Sequence, residues 1–112
     1  KSYSRDWIKD APIILVIVGN KDEAWKRSYD KRSSLEVDLT IAMDHIILAA
    51  EAEGVGSCWI MAYDYRIVRD VLKLKDNEFI SCITPLGYPP DDYKKRDMPA
   101  KKTLNEIVEK IY

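Results

Sequence analysis

The chain has 112 residues, enough for one domain and too few for two. Hydrophobic residues make up 46% and charged residues 33%, the balance of an ordinary globular domain. Lys plus Arg total 18 against 19 for Asp plus Glu, a net charge of -1, which argues against a generic nucleic-acid binder. The longest apolar run, Ala11 to Val18, is strand-sized, so neither a membrane span nor a signal peptide is read. The two cysteines, Cys58 and Cys82, lie in apolar strand-like runs and are expected as buried free thiols of a cytoplasmic protein.

Residues 1–10 predict a short helical or irregular lead-in. "APIILVIVGN" is a continuous Ile/Val/Leu run ended by Gly19-Asn20, as expected for a strand buried on both faces. The charged stretch that follows predicts a short helix from Asp22 and then a surface loop. The longest periodic element spans 34–53, with Ser34 as N-cap, Glu36 and Asp38 in the first turns, and Gly54 as its stop. Its middle, "IAMDHIILAAEA", is apolar on most sides and demands cover on several faces.

Ser57 to Met61 reads as a strand, and Asp64 as the cap of a second helix over "YRIVRDVLKL". "FISCITPLGYPP" predicts a third strand, broken by Pro85. Residues 91–102 are polar and contain proline, hence an extended loop. Thr103 and Glu106 form a capping-box pattern before a short terminal helix. Three strands cannot cover a helix this apolar, so either further chain or an extensive dimer interface is expected, and we expect both.

The common catalytic constellations are absent. His45 is the only histidine and reads as a core or interface residue rather than a metal ligand or a triad base, and no metal site is predicted. The glycines of "GVGSCW" follow a helix and open a strand, the reverse of a dinucleotide fingerprint. Three pieces could form a site together. Backbone N–H groups at Met61 and Ala62 follow the strand, Gly87 ends another, and Lys101 and Lys102 precede a helix start. Cations at a helix N-terminus suit a phosphate; a solvated basic loop fits the same composition.

The blocks "DAPIILVIVGN", "VDLTIAMDHIILAAEAEGVGSCWIMAYD", "FISCITPLGYPPDD" and "AKKTLNEIV" resemble, in order and approximate spacing, the C-terminal two-thirds of the FMN-dependent nitroreductase family. The resemblance covers residues 7 to 112 and implies an α+β fold, a mainly antiparallel sheet flanked by helices, in an intertwined homodimer with helix 34–53 at the interface. It implies FMN as cofactor and NAD(P)H as electron donor. The flavin would pass electrons to a small-molecule acceptor such as a nitroaromatic or quinone. An alternative is a flavin- or nucleotide-binding domain without turnover.

By the same resemblance, Trp59, Ile60, Met61 and Ala62 lie along the flavin ring, with the Met61 and Ala62 amides at its N5 and O4 edge. Lys101, and less firmly Lys102, meet the phosphate. Relatives commonly have Gly-Ala-Phe where this chain has Met61-Ala62-Tyr63, so Met61 adds bulk beside the ring. The family's Arg-rich start is not found, so residues 1–112 are expected to be a single domain of this kind lacking its N-terminal segment.

Overall fold

The computed structural model describes residues 6–95 and 97–108. Residues 6–10 form a 3-10 turn whose Ile8 is buried. Three strands follow in the chain, β1 (Ile13–Asn20), β2 (Gly56–Ser57) and β3 (Glu78–Gly87), with helices α1 (Leu35–Ala52), α2 (Tyr65–Leu72) and α3 (Leu104–Ile107). The sheet is antiparallel with order β1-β3-β2, giving an α+β arrangement. The order explains the burial. β3 is central, and Ile80 to Pro85 are buried without interruption, whereas β1 is an edge with Ile13 and Ile14 exposed. Within this chain the expectation that β1 is buried on both faces is met only in part, with Ile13 and Ile14 exposed and Leu15 to Asn20 half-buried.

Between β1 and β3 the register shifts by one from Val16–Ile83 to Val18–Ile80, a bulge that leaves two residues of β3, Ser81 and Cys82, across from the one residue Ile17. A cluster of Ile8, Ile60, Val68, Ile80 and Ile83 forms the core between the sheet and α2. α1 seats over Gly19, where an added Cβ would lie 2.6 Å from Leu35 Cδ1 and 3.0 Å from Leu39 Cδ2. Met43, on the same side of α1, is fully buried.

The helix ends follow from local chemistry. Gly54 adopts φ +73, Val55 N–H donates to Ala50 O at 2.8 Å, and Gly54 N–H donates to Glu51 O at 3.1 Å, a Schellman stop as expected. Asp64 caps α2 by accepting from Arg66 N–H at 3.0 Å. Ser34 stands at the α1 N-cap, but its hydroxyl donates to Asp38 Oδ2 at 2.6 Å instead of accepting from a helix amide.

Other expectations change. No helix begins at Asp22; the segment makes a turn and a hairpin-like bridge between Lys26 and Ser33, braced by Arg27 on Asp30. Too many charged side chains at successive positions leave no apolar face for a helix to bury there. α3 is a single turn, and the rest of "IVEKIY" beyond Val108 lies outside the described residues, as do residues 1–5 of the lead-in.

The radius of gyration is 17.6 Å, against about 13 Å for a compact chain of this size. Beyond Gly87 the described residues form no strand, only a turn at Asp91–Asp92 and α3, with Tyr88, Tyr93, Met98, Leu104 and Ile107 exposed. α1 also shows a second apolar face, with Val37, Ile41 and Leu48 exposed by 54%, 51% and 60%.

Candidate functional site

The segment from Gly56 to Asp64 is organised by its pairing with β3. Gly56 faces Gly87, Ser57 faces Leu86 and, further on, Ile60 faces Ile83 in unbroken register. Ile60 and Ile83 exchange both backbone hydrogen bonds at 3.0 Å. Cys58 then falls opposite Pro85, whose ring leaves no N–H to donate. Pro85 does not break β3, contrary to the sequence expectation; it interrupts only the partner's side of the ladder. The other bond of the pair, from the Cys58 N–H, runs through Thr84. Cys58 N–H donates to Thr84 Oγ1 at 3.2 Å, and the Thr84 hydroxyl donates to Pro85 O at 3.3 Å. The predicted strand 57–61 is consequently two residues of ladder and one bridge, and Cys58 is exposed instead of buried. Cys82 is buried as expected, and burial pushes its thiol above the ordinary range.

The Ile60 side chain points into the core, 3% exposed, so it holds the turn in place and contributes no side-chain surface to a ligand. Trp59 is half-buried. Immediately after Ile60 the chain leaves the sheet. Met61 is 64% exposed and Ala62 is also exposed. The Met61 carbonyl accepts from Tyr63 N–H at 3.0 Å, but neither the Met61 nor the Ala62 N–H has an acceptor among the described residues. Two adjacent free amides on a turn pinned to the core form a preorganised donor pair for an acceptor-bearing edge. Burial also raises the Tyr63 phenol above its usual range, with Cys82 adding to it, so the residue bordering the turn is a neutral group.

Lys101 and Lys102 lie in extended backbone just before α3, exposed and without an ion pair among the described residues. The α3 start is not open, however. Glu106 takes both the Thr103 amide and its hydroxyl at 2.7 Å, which depresses the Glu106 carboxyl. An anion at this point would meet the lysine side chains rather than a free helix end.

Neither half of the predicted site borders a groove on the other side of the Gly54–Cys58 turn. That groove, about 610 Å³, runs between the Gly54–Cys58 turn, Leu86–Pro90 and the departing segment, with Trp7, Tyr88 and Tyr93 on its walls. Lys95 spans its rim to Glu51 at 2.7 Å. Sequence reading missed this groove, because its walls come from four separate stretches; the one local signal was the bare Gly54–Gly56 turn. At Gly56 an added Cβ would lie 3.2 Å from Gly87 O, so the glycine permits close pairing with β3. His45 is exposed on α1, so its reading as a core residue fails in this chain. No helix among the described residues is long and apolar enough to cross a membrane.

Comparison with known proteins places this geometry. A nitroreductase family protein from Clostridium difficile 630 superposes with a TM-score of 0.77 at 31% identity, covering 90% of this chain and 60% of its own. An FMN-dependent nitroreductase from Clostridium difficile R20291 gives a TM-score of 0.66 at 27% identity, with 89% and 57% covered. Among curated sequences, an iodotyrosine deiodinase from Thermotoga neapolitana is 24% identical over 94 residues, 84% of this chain and 46% of its own length. The chain spans about half the length of the curated relatives it matches. The profile described as "Nitroreductase family" matches residues 1–88. On that match, this chain belongs to the nitroreductase family.

Proposed function

We propose that this chain is the C-terminal part of an FMN-dependent oxidoreductase that moves electrons from NAD(P)H to a small-molecule acceptor such as a nitroaromatic or a quinone. The observation that carries the reading is the pair of free amides at Met61 and Ala62, on a turn anchored by Ile60 to Ile83. The residues fit the group. A flavin edge bears acceptors, the turn offers donors without competitors among the described residues, and Lys101 and Lys102 are cations without an ion pair among them, suited to a phosphate. Bound FMN supplies the two-electron and one-electron redox chemistry that no side chain of this protein can.

The protein's own contributions are positional. The Ile60 bridge and the Thr84 hydroxyl hold the backbone so that the two amides need no reorganisation when negative charge develops beside them. Trp59 flanks the turn on one side, and the exposed Met61 side chain narrows the space left for an acceptor molecule. Lys101 holds phosphate charge, with Lys102 in support. The protein works as a homodimer in this reading. The exposed apolar face of α1 and the exposed residues beyond Gly87 are surfaces that a second copy would bury. Residues 1–112 count as one domain of that dimer, and the unpaired Cys58 and Cys82 suit a cytoplasmic setting.

FMN titration followed by flavin fluorescence tests the reading. Lys101→Glu is expected to weaken binding roughly tenfold, the size of replacing attraction by repulsion beside a partly solvated phosphate. A protein that takes up no added FMN refutes the proposal. FMN binding without anaerobic bleaching by NAD(P)H would instead identify a binding module without turnover.

A further inference from the structure

We propose that the basic hairpin of residues 24–34 receives the adenylate half of the electron donor, its 2′-phosphate on Lys31 and Arg32 and its base against Trp25, so that the protein prefers NADPH to NADH. The proposal rests on the oxidoreductase reading given above and names the donor it takes. Between Ala24 and Ser34 the chain carries four cations, Lys26, Arg27, Lys31 and Arg32, and one carboxylate, Asp30. Asp30 is engaged by Arg27, whose Nε donates to it at 2.8 Å, and this contact raises the guanidinium and lowers the carboxyl. Lys26, Lys31 and Arg32 are exposed and have no ion pair among the described residues. The flanking acids are held elsewhere. Asp22 accepts from Asn77 Nδ2 at 2.7 Å, Glu23 from Asn20 Nδ2 at 2.8 Å, and Asp38 from the Ser34 hydroxyl at 2.6 Å.

The hairpin is braced by its own backbone. Lys26 bridges to Ser33, Arg27 N–H donates to Arg32 O at 2.9 Å, Lys31 N–H donates to Arg27 O at 2.9 Å, and Ser34 N–H donates to Trp25 O at 3.0 Å. Its root is tied to the turn before β3 by Lys21 N–H on Asn77 O at 2.8 Å and by Asn77 Nδ2 on Asn20 Oδ1 at 3.2 Å. Trp25 is 64% exposed, and the exposed Tyr29 ring carries Arg27 on one face, 4.8 Å from the centroid. An exposed indole beside a guanidinium and two ammonium groups without an ion pair suits an aromatic base that bears phosphate. An apolar cover would strip water from three charges and return no partner, which is costly. An anionic ligand supplies the partner.

Strand direction brings this surface to the candidate site. β1 and residues 56–60 both run antiparallel to β3, with Asn20 across from Glu78 and Ile60 across from Ile83. Both therefore leave the ladder towards the Glu78 end of β3, one into the hairpin and the other into the Met61–Ala62 turn. The hairpin root stands about four residues further along and two strand spacings across from that turn, roughly 15 Å away. An extended dinucleotide spans such a gap, with its nicotinamide at the flavin site and its adenylate on the hairpin. The ribose phosphate that distinguishes NADPH from NADH adds negative charge at the adenylate end, where Lys26, Lys31 and Arg32 stand.

Tryptophan fluorescence of the full chain, titrated with adenosine 2′,5′-bisphosphate and with adenosine 5′-phosphate, measures the site without flavin or turnover. The bisphosphate is expected to bind at least ~10-fold more tightly, the effect of one further phosphate beside partly solvated cations, and to lose that advantage at about 0.5 M salt. Arg32→Gln is expected to bring the two affinities within ~3-fold, and Trp25→Phe to abolish the quench. Both side chains are exposed, so neither change opens a cavity. In the FMN-loaded protein, kcat/KM for NADPH should exceed that for NADH by at least ~10-fold, and Arg32→Gln should bring the two together. Equal affinity for the two adenosine phosphates, binding of neither, or equal use of NADPH and NADH overturns the proposal and leaves the flavin reading standing. A chain that takes up no FMN yet prefers the bisphosphate by the same margin refutes the flavin reading and keeps the nucleotide site on the hairpin.

Discussion

Thr84→Val tests the most specific structural claim, that one buried hydroxyl relays the Cys58 N–H to the Pro85 carbonyl beside the interrupted ladder. Valine matches threonine in shape, so the fully buried site keeps its volume and little cavity cost arises. What changes is the Cys58 N–H, which loses its acceptor at 3.2 Å, and Pro85 O, which loses a donor at 3.3 Å. Leaving a part-buried donor unsatisfied costs about 1–3 kcal/mol, and removing a buried hydroxyl returns part of that. A net loss of about 1–2 kcal/mol follows, or about 4–8 °C in Tm for a chain of this length. Urea melts should show a lower midpoint with the slope unchanged. Hydrogen exchange at the Cys58 amide should quicken in Thr84→Val and stay close to wild type in Thr84→Ser, which retains the hydroxyl. A valine variant within about 0.3 kcal/mol of wild type, with Cys58 protection unchanged, would refute the reasoning.

Lys73 ends α2 at φ +53, with Leu74 N–H on Arg69 O at 3.1 Å, a left-handed position that a side chain opposes. Lys73→Gly should therefore stabilise the fold by about 0.5–1 kcal/mol, read as a higher Tm, where most glycine substitutions do the reverse. The Lys95–Glu51 pair is the side-chain bond by which the residues after Gly87 are tied to α1. The Lys95 partner lowers the Glu51 carboxyl, and Glu51 raises the Lys95 ammonium. The tether should hold at neutral pH, fail as pH drops through the lowered carboxyl value, and fail again as it rises through the raised ammonium value. Limited proteolysis within 88–95 across pH should show that window in wild type and none in Glu51→Gln.

Much of the local structure was legible because it depends on near neighbours. Asp64 could be read as a cap, Gly54 as a stop and the Thr103–Glu106 box as a helix start from residues within a few positions, since those bonds close over one turn. The fourfold block pattern likewise carried the family, which the profile match over residues 1–88 bears out. Pro85 misled for a physical reason. Proline forbids a hydrogen bond on one side only, and what faces that side depends on a residue 27 positions earlier. The exposure of Cys58 follows from the same distant pairing.

The candidate site divides along the same line. The residue types alone pointed to backbone donors after Trp59 and cations before Thr103. That Ile60 is an anchor and not a lining residue needed the fold, because it depends on which side chains meet in the core. Sequence by itself determined the stop of α1 at Gly54, the cap of α2 at Asp64, the two-faced greasiness of α1 and the membership of the chain in its family. Tertiary structure alone decided which strand is central, which amides are left free at Met61 and Ala62, and which face of α1 stays uncovered. Periodicity reports how much of a surface is apolar, but only packing assigns each face a neighbour.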